Sequence, residues 1–410
     1  MTTRTAPVMR DHSIHERAST PLELLFDLCF VVAVAFLAAE LHHGVAAAHI
    51  GSALTAYLML FVPVWWAWMS YSWYATAFSH DDPIHRVLTG AQMLGVLAVA
   101  AAVPSAAAGE LVPFTITYAV MRLPLIAQWV RSALADPPHR GFAMTYAVGS
   151  ALAQLLWVLG ALLPGPGRWA VFAVALVVEL ATPVLAVRRS PDRVFHPGHI
   201  AERYGLFTII VLGESILAVS LGLREVVGAS ALAPEVLISV TAVLVIAFAL
   251  WWLYFDTLGA DALLRNRQAA FAWGYGHYAI FAGVAAIGAG ARVVLDALTD
   301  PVAQSGAVGY AGVRVIAGAV AVVLIALLVL ARLSRPVPPL TLVVGALVSA
   351  GVCLAPVSLP AWLGLSMLAV VAIGTVAKHH DRDDDGHHAI GERPQAPRLQ
   401  RVLRCARPRT

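Results

Sequence analysis

Acidic residues inside long apolar runs are the residues of this sequence best suited to chemistry. Glu23 and Asp27 stand four residues apart in one such run. Four residues bring two side chains to the same face of a helix, about 6 Å apart along its axis. Because their like charges repel in apolar surroundings, the pair is suited to binding and releasing a proton. Two structural alternatives stay open: Glu23 could reach water at a membrane surface, and Asp27 could cap a helix or pair with a loop arginine.

Three more ionisable residues lie near the middle of other apolar runs: Arg122, Glu179 and Glu214. An unpaired charge at the centre of a bilayer costs about 3 kcal/mol on insertion scales. A guanidinium can hold a carboxylate through two hydrogen bonds, so we predict that Arg122 pairs with Glu214 or Glu179. Such a pair could serve transport or could only fasten helices together. A cavity shared by these residues and Asp27 would favour transport, and a closed cluster would favour fastening.

The composition indicates that these runs are membrane helices. Apolar residues make up 60% of the 410 residues and charged residues only 12%. So little polar surface cannot cover a soluble protein of this size. The runs also lack the alternation of membrane strands, so we predict an all-α polytopic bundle. About twelve transmembrane helices are predicted, at 22–43, 50–76, 84–107, 111–134, 143–163, 167–187, 202–223, 231–255, 270–292, 307–331, 339–357 and 359–377.

The basic residues predict an orientation for the bundle. Of the 27 lysines and arginines, 22 fall in the termini and alternate loops on one side, Arg203 among them, and four fall on the other. Short cytoplasmic loops carry such an excess, so both termini are predicted to be cytoplasmic, in a protein of the bacterial cytoplasmic membrane. Because the charges are scattered rather than gathered on one face, we expect no nucleic acid partner.

Two halves are indicated by a repeated spacing. Trp65-Trp66 and Trp251-Trp252 stand 186 residues apart, and the same offset places Glu16-Arg17 on Glu202-Arg203. Six helices in each half would give a parallel repeat with halves 21–190 and 200–378. We predict a cytoplasmic tail at 1–20 and a disordered cytoplasmic tail at 379–410. A belt of aromatic residues at the membrane interface is predicted at Trp65, Trp66, Trp68, Trp73, Tyr74, Trp251, Trp252 and Tyr254.

No pattern in the sequence predicts a cofactor or a metal site. The loop from His80 to His85 and the histidines of the C-terminal tail contain metal-ligand residue types, but neither completes a ligand set. The three cysteines have no metal-ligand or disulfide spacing. Because no nucleophile stands beside a base, we predict no catalytic residues and no enzyme.

Two stretches resemble a known family. The stretches LELLFDLCFV at 22–31 and ERYGLFTIIVLGESI at 202–216 are similar to the signature stretches of the bacterial low temperature requirement protein A (LtrA) family. The resemblance covers about residues 15–378. It implies an integral membrane protein associated with growth in the cold, and it assigns no substrate or reaction. It singles out Glu23, Asp27, Glu202, Arg203, Gly205, Gly213, Glu214 and Ser215.

These features favour a proton- or cation-coupled secondary transporter of a small solute. Asp27 and Glu214 are predicted to carry the proton or ion, Arg122 to be their charge partner or an anion contact, and Gly213 to permit close approach. The coupling candidates are Glu23, Asp27, Arg122, Glu179, Glu202, Arg203, Glu214 and Ser215. The alternatives are a membrane-embedded enzyme or lipid-modifying protein that uses the same acids, and a sensor or stress protein without transport. The predicted partners are the lipid bilayer, the solute and, as an open alternative, further copies of the chain.

Overall fold

The computed structural model describes the helical body of the chain. The described residues are 8–9, 18–79, 82–190, 195–228, 233–258, 267–299, 307–333, 340–355 and 360–390. Twelve helices lie within them: α1 Pro21–Ala46, α2 Ile50–Ala77, α3 Pro83–Ala107, α4 Leu111–Ala135, α5 Arg140–Leu162, α6 Gly167–Val187, α7 Pro197–Gly228, α8 Pro234–Thr257, α9 Arg267–Thr299, α10 Ala307–Ala331, α11 Leu340–Leu354 and α12 Ala361–Ile390. A two-residue strand, Val8–Met9, pairs antiparallel with Phe78–Ser79, and a 3-10 turn spans Pro137–His139.

The predicted all-α polytopic bundle is confirmed. Ten of these helices, α1 to α10, are long and apolar enough to cross a membrane. The apolar parts of the last two are shorter, Leu340–Leu354 in α11 and Ala361–Val376 in α12. The outward faces carry large apolar side chains, such as Leu94 at 70% and Leu155 at 68% exposure, which suit contact with lipid.

Capping residues and glycines set where the helices begin and end. Thr20, directly ahead of Pro21, forms a capping box with Glu23 at the start of α1. Asp82 caps α3 by accepting the backbone N–H groups of Ile84 and His85. The turns after α3 and α5 each contain a glycine with positive φ, Gly109 at 99° and Gly165 at 73°.

The two halves share an order of helix contacts. In the first half α1 packs on α3, and α3 to α6 then pack in succession; in the second half α7 packs on α9, and α9 to α12 pack in succession. The halves meet where α1 and α2 contact α7 and α9. This recurrence supports the interpretation as a parallel repeat, although Glu16 and Arg17, which suggested it, lie outside the described residues. Below, the side on which α1 begins is the arginine-rich side, and the side on which α1 ends is the arginine-poor side.

The aromatic belt predicted on α2 is wrong. Trp65, Trp66 and Trp68 are at most 5% exposed, because α2 lies between α1, α7 and α9 on one face and reaches α4 and α6 on the other. On α8, by contrast, Trp251 keeps 39% exposure. Indole rings suit both a membrane interface and a core with a polar acceptor, so residue type alone did not separate the two.

The C-terminal tail departs from the prediction in its first part. Helix α12 continues to Ile390, so residues 379–390, predicted to be disordered, are helical. This stretch contains no proline, and Gly391 and Pro394 follow its end. Residues 391–410 lie outside the described residues.

Candidate functional site

Helix α2 donates two indole N–H groups to two buried carboxylates. Trp66 and Trp68 stand two residues apart, which is about 200° around a helix, so they project to opposite sides. Trp68 Nε1 donates to Asp27 Oδ1 over 2.7 Å, and Trp66 Nε1 donates to Glu179 Oε2. Each carboxylate also contacts an arginine. The candidate site residues therefore fall into two clusters, one on each side of α2.

The first cluster joins α1 to α7 and is called the α1–α7 cluster; its members are Glu23, Asp27, Trp68, His199 and Arg203. Arg203 Nη2 donates to Asp27 Oδ1, and Arg203 Nη1 lies 3.8 Å from Glu23 Oε2. His199 Nε2 lies 3.1 Å from the same Glu23 oxygen. Asp27, His199 and Arg203 are fully buried and Glu23 is 4% exposed. The alternative of a Glu23 side chain in water at the membrane surface is therefore excluded by this burial.

Local structure holds this cluster in place. The Thr20 capping box turns the Glu23 carboxylate back onto the first turn of α1, where Oε2 accepts the Thr20 N–H over 2.9 Å. Glu202 accepts the N–H of Ser19 over 3.1 Å and so ties the start of α1 to α7. The Arg203 guanidinium also lies 5.7 Å from the ring centre of Tyr71. This ring and the carboxylates of Glu23 and Asp27 limit the positions that the guanidinium can take.

The α1–α7 cluster gathers two carboxylates around one guanidinium and one imidazole. Arg203 lies between Glu23 and Asp27, and its charge offsets part of the repulsion between the two acids.

The second cluster joins α4, α5 and α6 through α2 and is called the α4–α6 cluster; its members are Trp66, Arg122, Gln154 and Glu179. Gln154 Nε2 donates to Glu179 Oε1 over 2.8 Å, and Arg122 Nη2 lies 3.5 Å from Glu179 Oε2. Arg122 is 2% exposed and Glu179 is 3% exposed. Arg122 Nε and Nη1 are buried without a hydrogen-bond partner among the described residues. The Glu179 carboxylate thus has donor groups of three side chains around it, while the Arg122 guanidinium keeps unused N–H groups.

A cavity of about 620 Å³ lies above the α4–α6 cluster, toward the arginine-poor side. Tyr118, Leu176 and Pro63 line it, each about one turn from Arg122, Glu179 and Trp66, respectively. Side chains lean toward the N-terminus of their helix, so Arg122 on α4 and Glu179 on α6 lean toward the cavity. Other lining side chains belong to Ser52, Thr55, Met59, Phe114, Thr115, Trp157, Arg168, Trp169 and Phe172.

Glu214 joins neither cluster. It is half-buried on α7, and no hydrogen bond or ion pair to it occurs among the described residues. Neighbouring Gly213 is exposed, and no other group of the chain approaches within 4 Å of the position that its Cβ would take. The close approach predicted at Gly213 is therefore not made by this chain. Ser215 is buried, and its hydroxyl donates to the Val284 carbonyl over 2.8 Å at the α7–α9 contact.

The structure separates residues that the sequence grouped. Arg122 contacts Glu179, one of the two partners considered, and Glu214 lies apart from it. Asp27 lies in the other cluster, so the four residues do not share one cavity. Arg203, predicted at the cytoplasmic start of the helix 202–223 and counted among the basic residues of that side, is fully buried within α7, because that helix begins at Pro197. One alternative for Asp27 was a pairing with a loop arginine. Asp27 does pair with an arginine, but that arginine, Arg203, lies inside the bundle.

Four residues of the clusters were missed by the sequence reasoning as members of a site: Trp66, Trp68, Gln154 and His199. Its position within an apolar run was the available signal for Gln154, whereas His199 lies in a polar stretch ahead of the predicted helix and gave none. The tryptophans gave no such signal, because their polar atom is a single N–H.

The described residues contain no group of three or more metal-ligating side chains. His80 and Asp81 of the candidate metal loop lie outside the described residues, and Asp82 has a structural role. Its carboxylate accepts a hydrogen bond from Arg131 Nη2 over 2.8 Å, in addition to the two hydrogen bonds that cap α3. Burial alone would raise the pKa of Asp82, but these hydrogen bonds and the Arg131 charge outweigh it and lower that pKa below its ordinary value.

Comparison with known proteins identifies relatives over most of the chain. The profile of the bacterial low temperature requirement A protein (LtrA) family matches residues 18–377. A protein of Rhizobium meliloti (strain 1021), described as uncharacterized, is 28% identical over 297 residues. That similarity covers 67% of this chain and 69% of the relative. The matched family range contains all the residues of both clusters.

Proposed function

Because the chain belongs to the bacterial low temperature requirement A (LtrA) family of membrane proteins, we propose a function that uses the buried charges of its bundle. We infer that it is a proton- or cation-coupled secondary transporter of a small solute. The solute would bind between the helices of the first half. The proposal includes no enzymatic step.

The observation that carries the proposal is the position of the α4–α6 cluster beneath the cavity. Arg122 keeps two buried N–H groups, at Nε and Nη1, without hydrogen-bond partners among the described residues, and Arg203 of the α1–α7 cluster keeps the same two. Each unsatisfied group costs about 1–3 kcal/mol, so a ligand that accepted from either arginine would gain affinity. The cavity of about 620 Å³ next to Arg122 gives this access to the α4–α6 cluster, and such access is what a site for an exchangeable ligand requires.

Glu179 is the coupling residue in this proposal. When Glu179 takes up a proton or a cation, its attraction for Arg122 falls, and the guanidinium is free to contact the solute. Asp27 was the earlier candidate for this role, but its cluster is closed and lies on the other side of α2. Glu214 borders neither the cavity nor an arginine. We therefore assign coupling to Glu179 and fastening of α1 to α7 to the α1–α7 cluster.

The arginine distribution supports an orientation for transport. With Arg203 counted inside the bundle, 21 of the 27 basic residues still fall on one side, and we propose that the protein lies in the cytoplasmic membrane with both termini in the cytoplasm. The cavity would then face outward. A role in growth at low temperature stays a prediction from the family resemblance, as does a homo-oligomer from the sequence.

Reconstitution tests the proposal directly. Purified protein would be placed in liposomes that contain a trapped pH indicator, and carboxylates, amines, amides and sugars would be added in turn, with and without a sodium gradient. We expect at least one class to drive proton or cation movement through the wild-type protein. Glu179→Gln should abolish the coupled ion movement, because glutamine cannot exchange a proton.

Asp82→Asn is the matched control, since Asp82 also pairs with an arginine but lies at the end of the bundle, outside the proposed path. Its coupled flux should equal that of the wild type. If a folded wild-type protein moves neither protons nor cations with any class of solute, transport is excluded. Coupled flux that is unchanged in Glu179→Gln would remove Glu179 from the mechanism.

A further inference from the structure

We propose that the solute is a small organic monoanion with an aromatic or branched apolar body, and that it binds together with one proton. Its carboxylate would contact Arg122, its body would fill the cavity above, and the proton would reside on Glu179. This inference rests on the proposed transport function and specifies its substrate class and its charge balance.

The cavity wall selects for an apolar body. Aromatic side chains from three helices line it: Phe114 and Tyr118 on α4, Trp157 on α5, and Phe172 on α6. A volume of about 620 Å³ is ample for a single aromatic ring with a short side chain. A strongly hydrated solute such as a sugar would lose water here without finding enough polar groups to replace it.

The balance of donors and acceptors at the floor selects for an anion. The Glu179 carboxylate is already surrounded by Trp66, Gln154 and Arg122. Unused donors remain on Arg122, at Nε and Nη1, and on Trp157, at Nε1, against one unused acceptor of the cluster, Gln154 Oε1, so donors are in excess. A carboxylate can accept from a guanidinium at two positions, whereas an ammonium group would meet like charge and bare N–H groups.

Charge neutrality then requires the proton. Arg122 and Glu179 together are neutral, so an added carboxylate would leave one net negative charge in a buried site. Protonation of Glu179 restores neutrality and frees the guanidinium for the new anion.

The other groups that face Arg122 and Glu179 do not supply a positive charge that would balance the added carboxylate. They are Trp66, Gln154, Tyr118 of α4, and Tyr275 of α9, whose hydroxyl donates to the Leu180 carbonyl. Arg168 is the charged residue among those that line the cavity, and its Nε donates to the Leu163 carbonyl. It stands eleven residues before Glu179 on α6, about 16 Å away along the helix axis, so its charge lies at the far end of the cavity and does not balance an anion beside Arg122. The anion and the proton should therefore bind together, and the transport cycle should move no net charge.

Calorimetry on the full chain in lipid nanodiscs tests both parts. Three probes of similar shape and different charge would be titrated: benzoate, benzamide and benzylamine. We expect benzoate to bind about tenfold or more tightly than the other two. Repeating the titration in buffers of different ionisation enthalpy should show uptake of about one proton for each benzoate bound.

Four variants locate the charges. Arg122→Gln should weaken benzoate binding about tenfold or more and leave benzamide binding within about twofold. Glu179→Gln should bind benzoate without proton uptake and with little dependence on pH. Arg168→Gln tests the alternative position for the carboxylate within the cavity, and Arg131→Gln, at the Asp82 pair outside the cavity, is the control that should retain the wild-type preference. Unfolding temperatures establish that each variant is folded.

Several results would overturn the inference. They are the absence of benzoate binding to the wild type, a preference for benzamide or benzylamine, loss of the preference in Arg168→Gln but not in Arg122→Gln, and benzoate binding without proton uptake. Should Arg122→Gln fail to fold, the proton count in Glu179→Gln still decides. Coupled flux driven by an amine or a neutral solute would leave transport standing and exclude the anion, whereas absence of all coupled flux would exclude transport itself.

Discussion

The two clusters on either side of α2 contain the same three chemical groups in different surroundings. Each has a carboxylate, an arginine and an indole N–H from α2: Asp27, Arg203 and Trp68 in one, and Glu179, Arg122 and Trp66 in the other. The α1–α7 cluster adds a second acid and a histidine, whereas the α4–α6 cluster adds an amide and borders a cavity. Similar composition therefore does not imply similar roles.

The difference lies in what can replace a lost partner. In the α1–α7 cluster, Asp27 and Arg203 are fully buried and contact each other, and neither of them lines the cavity. In the α4–α6 cluster, a ligand in the cavity can take the place of Glu179 on Arg122. A buried pair without such access serves chiefly to hold helices, and a pair beside a cavity can exchange partners.

Arg203→Gln should have the largest effect on stability. The change leaves Asp27 and Glu23 buried near each other without their shared cation, and such a loss costs about 3–5 kcal/mol. Reversible unfolding in mixed micelles, followed by circular dichroism, measures the change in free energy.

The double variant Asp27→Asn with Arg203→Gln is the control for Arg203→Gln, because it removes both charges. It should regain part of the stability lost in the single variant. An effect of Arg203→Gln that is no larger than that of Arg122→Gln would contradict the distinction between the clusters.

The two tryptophans of α2 allow a matched comparison. Trp68→Phe removes one hydrogen bond to a fully buried carboxylate and should cost about 2–3 kcal/mol. Trp66→Phe removes the equivalent bond to Glu179, which keeps Gln154 and Arg122, and should cost less. The same unfolding measurement serves both. Equal losses would mean that the two carboxylates depend equally on their indole donors.

Arg122→Gln should cost only about 1–2 kcal/mol, although it also leaves a buried carboxylate behind. Glu179 retains two donors, Trp66 and Gln154, and can take up a proton through the cavity. This variant should therefore unfold nearly like the wild type while it loses anion binding. A loss above about 3 kcal/mol would indicate that this pair, too, mainly holds helices.

The helices were predictable from the sequence because apolar runs and breaking residues are local signals. The predicted range 307–331 equals α10, and 111–134 differs by one residue from α4. The predicted start of α7, residue 202, is five residues late, and this error placed Arg203 in the first turn of the helix rather than inside the bundle. The polar stretch from Pro197 to Glu202 resembles a loop in composition, although the surrounding helices bury much of it.

The pairings were less predictable because they depend on packing between distant segments. Asp27 and Arg203 are 176 residues apart, and no local pattern brings them together. Depth in the membrane correctly placed Arg122 and Glu179 at one level, but it placed Glu214 there too. The helix that faces α4 determines whether Glu179 or Glu214 pairs with Arg122. The depth of a residue along its own apolar run does not tell which helices are neighbours. The cavity likewise arises from five helices and was not foreseen.

A third acid–arginine pair, Asp82 and Arg131, lies at the end of the bundle. Its loss should have the smallest effect on stability of the three pairs. Asp82 caps α3 and pairs with Arg131 at the end of the bundle, so Asp82→Ala should cost about 1 kcal/mol at neutral pH. The pKa of Asp82 is lowered in the folded protein, so its contribution is complete above the unfolded-state pKa of about 3.9. It is lost as the pH falls through the lower folded-state value, because the protonated acid is a poor acceptor. Unfolding measured between neutral and acidic pH should show the wild type and Asp82→Ala converging at low pH. A constant difference between them would mean that the carboxylate charge contributes nothing, and that the side chain acts through packing alone.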